Sequence, residues 1–234
     1  MNRIDHSLIA GLPFFNGLTA EDLDEILKGA VSGRHMVNCE IFGQENEARS
    51  FFFLLDGHVR VIRTNPDGQQ VIVRYISPGE IFGIAPAIGR TTYPATAVAV
   101  VDCVVLSWPV SLWPELSSRY PVFGGNTYKT VGSRLKETQD KVMELATEQV
   151  EQRVAHALLR LVRQSGKKSE GGIEIDFPIT RQDIAEMTGT TLHTVSRLMS
   201  AWEDQGLVRS GRRRVTVVEP HRLFVLAEGG GKGT

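Results

Sequence analysis

Residues 180 to 206, TRQDIAEMTGTTLHTVSRLMSAWEDQG, constrain this chain more than any other stretch. The pattern predicts two helices joined by a sharp turn. Thr180 precedes the first apolar-periodic residue and Asp183 follows three positions later, so hydroxyl and carboxylate can each take an orphan backbone N–H. Ile184, Ala185 and Met187 form the inward face of that first helix. Gly189 supplies the backbone freedom of a tight turn, and Thr191 with Thr194 can cap the second helix. Val195, Leu198, Met199 and Trp202 then fall on one face at the helical period, with Leu192, His193, Ser196 and Arg197 opposite. Gly206 is a natural stop.

Ala185, Gly189, Val195 and Leu198 occupy the four positions that a helix-turn-helix unit needs filled, one small, one turning and two aliphatic. Thr188 and Thr190 depart from that pattern by standing where apolar residues are usual. The alternative reading is an ordinary helical hairpin. Beyond Gly206, LVRSGRRRVTVVEP predicts a two-stranded wing around Ser210-Gly211, with Arg209, Arg212, Arg213 and Arg214 at its tip. Four cations so close suit the phosphates beside a groove, and the alternative is a solvated turn.

Such a unit is expected to bind double-stranded DNA. Arg197 should reach a guanine, Ser196 a base or phosphate, and Leu192 or Thr194 a thymine methyl. His193 can donate or accept at a base edge, and Thr191 opens the same helix. Thr180, Arg181 and Gln182 sit at a helix N-terminus, where phosphate is favoured. Lys and Arg number 26 against 27 acids for a net charge of −1, so the affinity must come from where the charges lie.

Upstream, the pattern changes character twice. Residues 7 to 30 read as short helices, with Thr19 capping AEDLDEILKGA. From His35 to Leu106 come brief β-type runs punctuated by Asp56-Gly57, Asn65-Pro66-Asp67-Gly68 and Pro78-Gly79. Glycines at 57, 68 and 79 recur at the interval of one strand plus its turn, which predicts an antiparallel roll of about eight strands. Its expected inner face is Phe52, Leu54, Val59, Val61, Val71, Val73, Ile76, Val98, Val100 and Val104. A helical stretch follows from Val110, interrupted at Pro114 and Pro121.

Beyond Pro121, Gly124, Tyr128, Val131, Leu135, Thr138, Val142 and Leu145 alternate at four and three residues. That heptad seam predicts a parallel two-stranded coiled coil between two copies of the chain, the alternative being a helix lying on its own domain. Glu148 to Gln164 reads as a further helix with Val150, Val154, Leu158 and Leu161 inward, and Gly166 to Gly172 as a loop. The expected organisation is a roll at 8–118, a dimerisation helix at 119–146, a winged helix-turn-helix domain at 147–223 and a flexible tail at 224–234. The fold class is α+β.

Two cysteines, Cys39 and Cys103, are too few for a disulfide framework, which suits a reduced compartment. No apolar run of about 18 residues and no signal-peptide core occurs, so the expectation is a cytoplasmic protein without a membrane partner. No P-loop, HExxH or GxGxxG pattern points to an enzyme.

The order of roll, long helix, helix-turn-helix and wing closely resembles the Crp/Fnr family of bacterial transcription regulators. The likeness runs from about Phe14 to Leu223 and is most specific in ITRQDIAEMTGTTLHTVSRLMSAWEDQGLV. TYPATAVA and GTTLHTVSR look most like the nitric-oxide-responsive regulators of denitrification, the NnrR and Dnr branch. The resemblance implies a TTG…CAA palindrome and RNA polymerase as a partner. A FixK-type regulator, controlled by abundance or thiol oxidation without a small ligand, is the alternative. At the position of His193 the family usually carries glutamate, so base preference there is expected to differ.

Cyclic-nucleotide binders of the family use a Gly-Glu pair and an Arg-Ser pair. In FGIAPAIGRTTYPATA, Ile84 stands in place of the glutamate and Tyr93-Pro94 near the Arg-Ser, with Arg90 offset, which disfavours a cyclic nucleotide. An iron–sulfur cluster is disfavoured because the N-terminal cysteine run that holds it in relatives is missing. Haem stays open, with His6, His35 and His58 as ligand candidates, each weighed against an ordinary turn or surface histidine.

Overall fold

Helix α1 (Ala20–Lys28) starts where the sequence places it. The Thr19 hydroxyl accepts the Asp22 N–H at 3.1 Å and the Asp22 carboxylate accepts the Thr19 N–H at 3.0 Å. The computed structural model describes residues 5–230. By contact density these divide into two units, residues 5–68 with 74–137 and residues 69–73 with 138–230.

Eight strands follow α1: β1 (Val31–His35), β2 (Glu40–Phe42), β3 (Ser50–Asp56), β4 (Val59–Thr64), β5 (Gln70–Ile76), β6 (Ile81–Phe82), β7 (Thr96–Ala99) and β8 (Cys103–Pro109). They form two four-stranded sheets, ordered β1-β8-β3-β6 and β2-β7-β4-β5. The pairs β1–β8, β2–β7, β3–β6, β3–β8 and β4–β7 are antiparallel, as the spacing of turns predicts.

Phe52, Leu54, Val59, Ile76 and Val100 are buried as expected. Val61 is half-buried and packs against the same core. The rest of the expected inner face is out of step: Val71 is exposed and Val73, Val98 and Val104 are half-buried, whereas Ile72, Ala97, Ala99, Cys103 and Val105 are buried. A one-residue slip turns every side chain of a strand to the other face. In β7 the alternation of Ala with Val suggested valine inward. The interior opposite is occupied by Phe52, Phe82 and Tyr93, with Phe42 against them, and Ala97 and Ala99 are buried in the same cluster as those rings.

A second core lies on the outer side of the roll. Phe14, Phe15, Phe51, Phe53 and Phe123 cluster there with Trp108, whose indole N–H donates to the Ile26 carbonyl at 2.8 Å and so fastens α1 to β8. Pro114 and Pro121, expected as interruptions, are helix starters. They stand in the first turns of α2 (Trp113–Arg119) and α3 (Pro121–Thr147), where proline loses no hydrogen bond. Gly124 leaves the expected seam. It packs on α2, where a Cβ would come within 3.1 Å of the Ser117 carbonyl oxygen.

The second unit begins with the final turns of α3 and then α4 (Val150–Ser165), opened by a Gln149–Gln152 capping box. Val154, Leu158 and Leu161 are buried along it, and Val150 is half-buried. Gly166 to Gly172 is a correction to the expected loop. β9 (Gly166–Ser169) pairs with β10 (Gly172–Ile175) around a Glu170-Gly171 turn. As the edge of its sheet, β9 exposes Lys167 and Lys168 and carries no apolar alternation to read. The expected tail is also corrected, since α7 (Pro220–Ala227) continues through 224–227 and buries Leu223 and Ala227. Residues 231–234 lie outside the described residues. No helix among those described is long and apolar enough to cross a membrane.

Candidate nucleic-acid interface

Helix α5 (Arg181–Thr188) is capped by Thr180, whose hydroxyl accepts the Asp183 N–H at 3.1 Å and donates to the Asp183 carboxylate at 2.6 Å. Gly189 takes the left-handed conformation at φ +62°, and its N–H closes on the Ala185 carbonyl. Thr188 occupies its apolar slot without an unmet hydroxyl, because Oγ1 donates to the Ile184 carbonyl at 2.7 Å. Thr191 caps α6 (Leu192–Asp204) by accepting the Thr194 N–H at 3.2 Å. Val195, Met199 and Trp202 are buried and Leu198 half-buried, which seats α6 on the domain core. Gly206 follows at φ +69°, as expected.

The opposite face of α6 is open. Leu192, His193 and Arg197 are exposed, and Thr194 and Ser196 are half-buried. Among the described residues the Arg197 guanidinium has no hydrogen-bond or ion-pair partner. A fork of donors held out from a rigid helix is the geometry that reads the O6 and N7 of guanine.

The wing is β11 (Val208–Gly211) with β12 (Arg214–Val217). Its last pair is Gly211 with Arg214, so the turn is Arg212-Arg213, two residues beyond the expected centre, with Arg213 left-handed at φ +60°. Two of the four expected tip cations are diverted. Arg209 donates to the Glu170 carbonyl at 2.8 Å, and Arg214 lies 3.8 Å from Glu174. Arg212 and Arg213 remain exposed at the tip.

Arg181, expected at a phosphate, is turned toward Glu203 and the wing. One guanidinium nitrogen donates to Glu203 and to the Ser210 hydroxyl, both at 3.2 Å, and the other reaches the Ser196 carbonyl at 3.4 Å. The Ser210 N–H also donates to Glu203, at 2.9 Å. Arg181 and Glu203 therefore tie the start of α5, the end of α6 and the wing together. Gln182 stays exposed and donates to Glu186 at 2.9 Å, leaving it and the α5 terminus open to solvent. The link from Arg181 to Glu203 and Ser210 cannot be read from the sequence, because they lie 22 and 29 positions away and no local pattern connects them.

Arg181→Ala leaves the Glu203 carboxylate without its cation. It is expected to destabilise this domain by about 1.5–3 kcal/mol, the range for a hydrogen bond to a charged group, seen as a lower unfolding midpoint. DNA affinity should fall alike for every sequence as the wing loses its register. Unchanged stability with a salt slope reduced by about one unit would return Arg181 to the phosphate backbone.

On α3, Tyr128 is 56% exposed, Leu135 60%, Val142 59% and Leu145 53%, and Thr138 is exposed too. Val131 is half-buried against the core containing Phe14 and Phe123. The stripe is an apolar surface too regular to be scattered exposure. Its flanks carry charge: Arg134 pairs with Glu80, Arg74 with Glu137 and Arg160 with Glu144.

The three haem candidates do not converge. The His6 ring lies 3.0 Å from Asp24 in the N-terminal turn. His35 ends β1 and is half-buried, with its pKa lowered by that burial. His58 is buried at the β3–β4 turn, where its carbonyl accepts the Cys103 thiol at 3.3 Å. Among the described residues no three His, Cys, Asp or Glu side chains group as metal ligands. Cys39 is exposed, and burial pushes the Cys103 thiol up and away from thiolate.

The positions that would meet a cyclic nucleotide are core. Ile84 and Tyr93 are buried, the Tyr93 ring stacks on Phe42 at 3.9 Å, and its hydroxyl donates to the Ser50 carbonyl at 2.6 Å. Arg90 lies at the surface, 3.9 Å from Glu45. These residues do not fit a ribose-phosphate.

An open-faced second helix, an arginine-tipped wing and an eight-stranded roll define a DNA-binding transcription regulator. Residues 152–225 match the Crp-like helix-turn-helix domain and residues 37–120 the cyclic nucleotide-binding domain. The chain is 32% identical over 219 residues to the cyclic AMP receptor protein of Thermus thermophilus, covering 94% of this chain and 98% of that one. It is 28% identical over 172 residues to the nitrogen fixation regulation protein FixK of Azorhizobium caulinodans, covering 73% and 68%. The solved structure of FixK2 from Bradyrhizobium japonicum superposes with a TM-score of 0.75 at 25% identity, over 84% of this chain and 96% of that one. The chain belongs to the Crp/Fnr family of transcription regulators. Its relatives are regulators and not enzymes, and they typically bind DNA as dimers.

Proposed function

We propose that two copies of the chain, joined along α3, set their α6 helices into successive major grooves of a TTG…CAA palindrome, about 34 Å apart. The observation that carries this reading is the uncommitted Arg197 on the outer face of α6. Thr180, Gln182, Thr191, Leu192, His193, Thr194 and Ser196 surround it as base or phosphate contacts, with Arg212 and Arg213 on the flanking phosphates. Arg181 acts as a positioning residue. The working division is a sensor roll at 8–118, a dimerisation helix at 119–146 and a DNA-binding domain at 147–223, with RNA polymerase as the downstream partner.

As input we propose nitric oxide or low oxygen, in control of denitrification genes, on the likeness of TYPATAVA and GTTLHTVSR to the NnrR and Dnr branch. A second reading, a FixK-like regulator without a small ligand inside the roll, is favoured by the aromatic filling of that interior and by the likeness to FixK2. An absorption spectrum of the protein reconstituted with haem, with and without nitric oxide, separates the two. The haem reading expects a Soret band that shifts with the gas and a matching change in operator affinity. A flat spectrum and constant affinity select the FixK-like reading.

A further inference from the structure

The link from α3 to the helix-turn-helix is short. Only Glu148 and Gln149 separate α3 from α4, so the direction in which α5 and α6 leave the end of α3 is set at that corner. Side chains of α4 hold the corner closed. Arg160 pairs with Glu144 in the last turns of α3, and His156, one turn back along α4, lies 3.5 Å from Glu148. Arg153 completes the set. Its Nη1 donates to the Glu148 carbonyl at 2.9 Å, and its Nε donates to the Thr188 carbonyl at 3.1 Å.

Those carbonyls close different helices. Thr188 is the last residue of α5, and Glu148 is the first beyond α3. A helix C-terminus leaves carbonyls without intrahelical partners and carries a partial negative charge, so a cation is favoured there. One half-buried guanidinium thus serves the ends of both helices. Its acceptors are main chain, which cannot swing aside as a carboxylate side chain can, so the contact fixes helix against helix. The packing beneath agrees: a Cβ on Gly189 would lie 3.2 Å from Leu145 Cδ2, which puts the end of α3 directly on the turn between α5 and α6. All of these residues belong to the second unit.

We propose that Arg153 is a positioning residue that sets the separation and phase of the two recognition helices, and so selects the number of base pairs between the half-sites of the operator. The inference rests on the dimer and palindrome of the proposed function. There each α6 is carried on the α3 of its own copy, and any play at the corner is counted twice across the twofold axis. One base pair added between the half-sites moves the second by about 3.4 Å along the duplex and turns it by about 34° around it. A corner clamped by charge-assisted hydrogen bonds resists that displacement. Arg197 then selects the base, and Arg153 the distance between two such bases.

Anisotropy titrations of the full chain test the assignment, on duplexes whose palindrome is shortened or lengthened at its centre by one base pair and on a duplex with a single half-site. The unaltered chain should lose about a hundredfold in affinity on either change, because both half-sites can no longer be engaged at once. Arg153→Met keeps the apolar stem and removes the donors. In that variant the loss should shrink to about tenfold or less, while the preference for guanine and the affinity for a lone half-site stay as they were. Arg153→Lys keeps the charge as a single point of donation and should fall between the two. It carries the test if Arg153→Met does not fold by circular dichroism. A domain merely weakened by a lost contact would bind every duplex less well and keep its spacing preference. That result, or a variant as strict about spacing as the unaltered chain, overturns the proposal. An unaltered chain indifferent to spacing would remove the palindrome itself and this assignment with it.

Discussion

Replacing Arg197 with alanine should abolish specific operator binding and leave the dimer intact. A bidentate arginine–guanine pair is worth about 1–3 kcal/mol of discrimination. A dimer forfeits it in both half-sites, so the expected loss is about 2–6 kcal/mol, roughly thirtyfold or more in affinity for the preferred sequence. The fold has no stake in the side chain, which is exposed and unpartnered among the described residues, so the unfolding midpoint should not move. Anisotropy titrations against operators carrying each base at the contacted position give the reading. The variant should bind the guanine operator and its substituted forms alike, with a residual affinity set by phosphates. Discrimination at the guanine that survives in the variant would remove Arg197 from the base contacts. The contrast with Arg181 is informative, since that arginine should cost stability and affinity together while leaving base preference in place.

What could be read in advance follows from the range of each interaction. Thr19 with Asp22 and Thr180 with Asp183 close hydrogen bonds over three residues, so their capping boxes are visible as spacing and recur in the fold. The Gly189 turn and the buried stripe of α6 are equally local. Gly124 falls outside the seam although its spacing fits, because a small residue suits a dimer seam and a close helix crossing equally well, and only the Ser117 backbone above it decides. In β7, alanine lies on one face and valine on the other, both apolar, so which face turns inward depends on rings supplied by β2, β3 and β6. β9 is polar because it is an edge, and an edge strand written Gly-Lys-Lys-Ser looks like a loop. The candidate site divides in the same way. Arg197 is free of tertiary partners and its exposure follows from helical period alone, whereas the inward turn of Arg181 depends on Glu203 and Ser210, brought to it by the folding of α6 and the wing.

The seam on α3 yields the other large effect. Leu135 lies near the middle of the exposed stripe, and the substitution Leu135→Asp should convert the protein to a folded monomer. Burying one leucine contributes about 1.5–3 kcal/mol, and a twofold axis counts every change twice. The variant therefore loses about 3–6 kcal/mol of association, and it also confronts two carboxylates across a surface that water must leave. Within one copy the cost is small, because the side chain is 60% exposed and aspartate gives up only about 0.7 kcal/mol of helix propensity. Sedimentation should show half the mass with an unchanged circular dichroism spectrum. Lys136→Asp, one residue along on the polar flank, should stay dimeric. A dimer that persists in Leu135→Asp would overturn the heptad assignment and move the interface elsewhere. The monomer also separates the two roles of the chain: with Arg197 intact it should keep its preference for guanine in an isolated half-site, while losing the affinity that comes from engaging two half-sites at once.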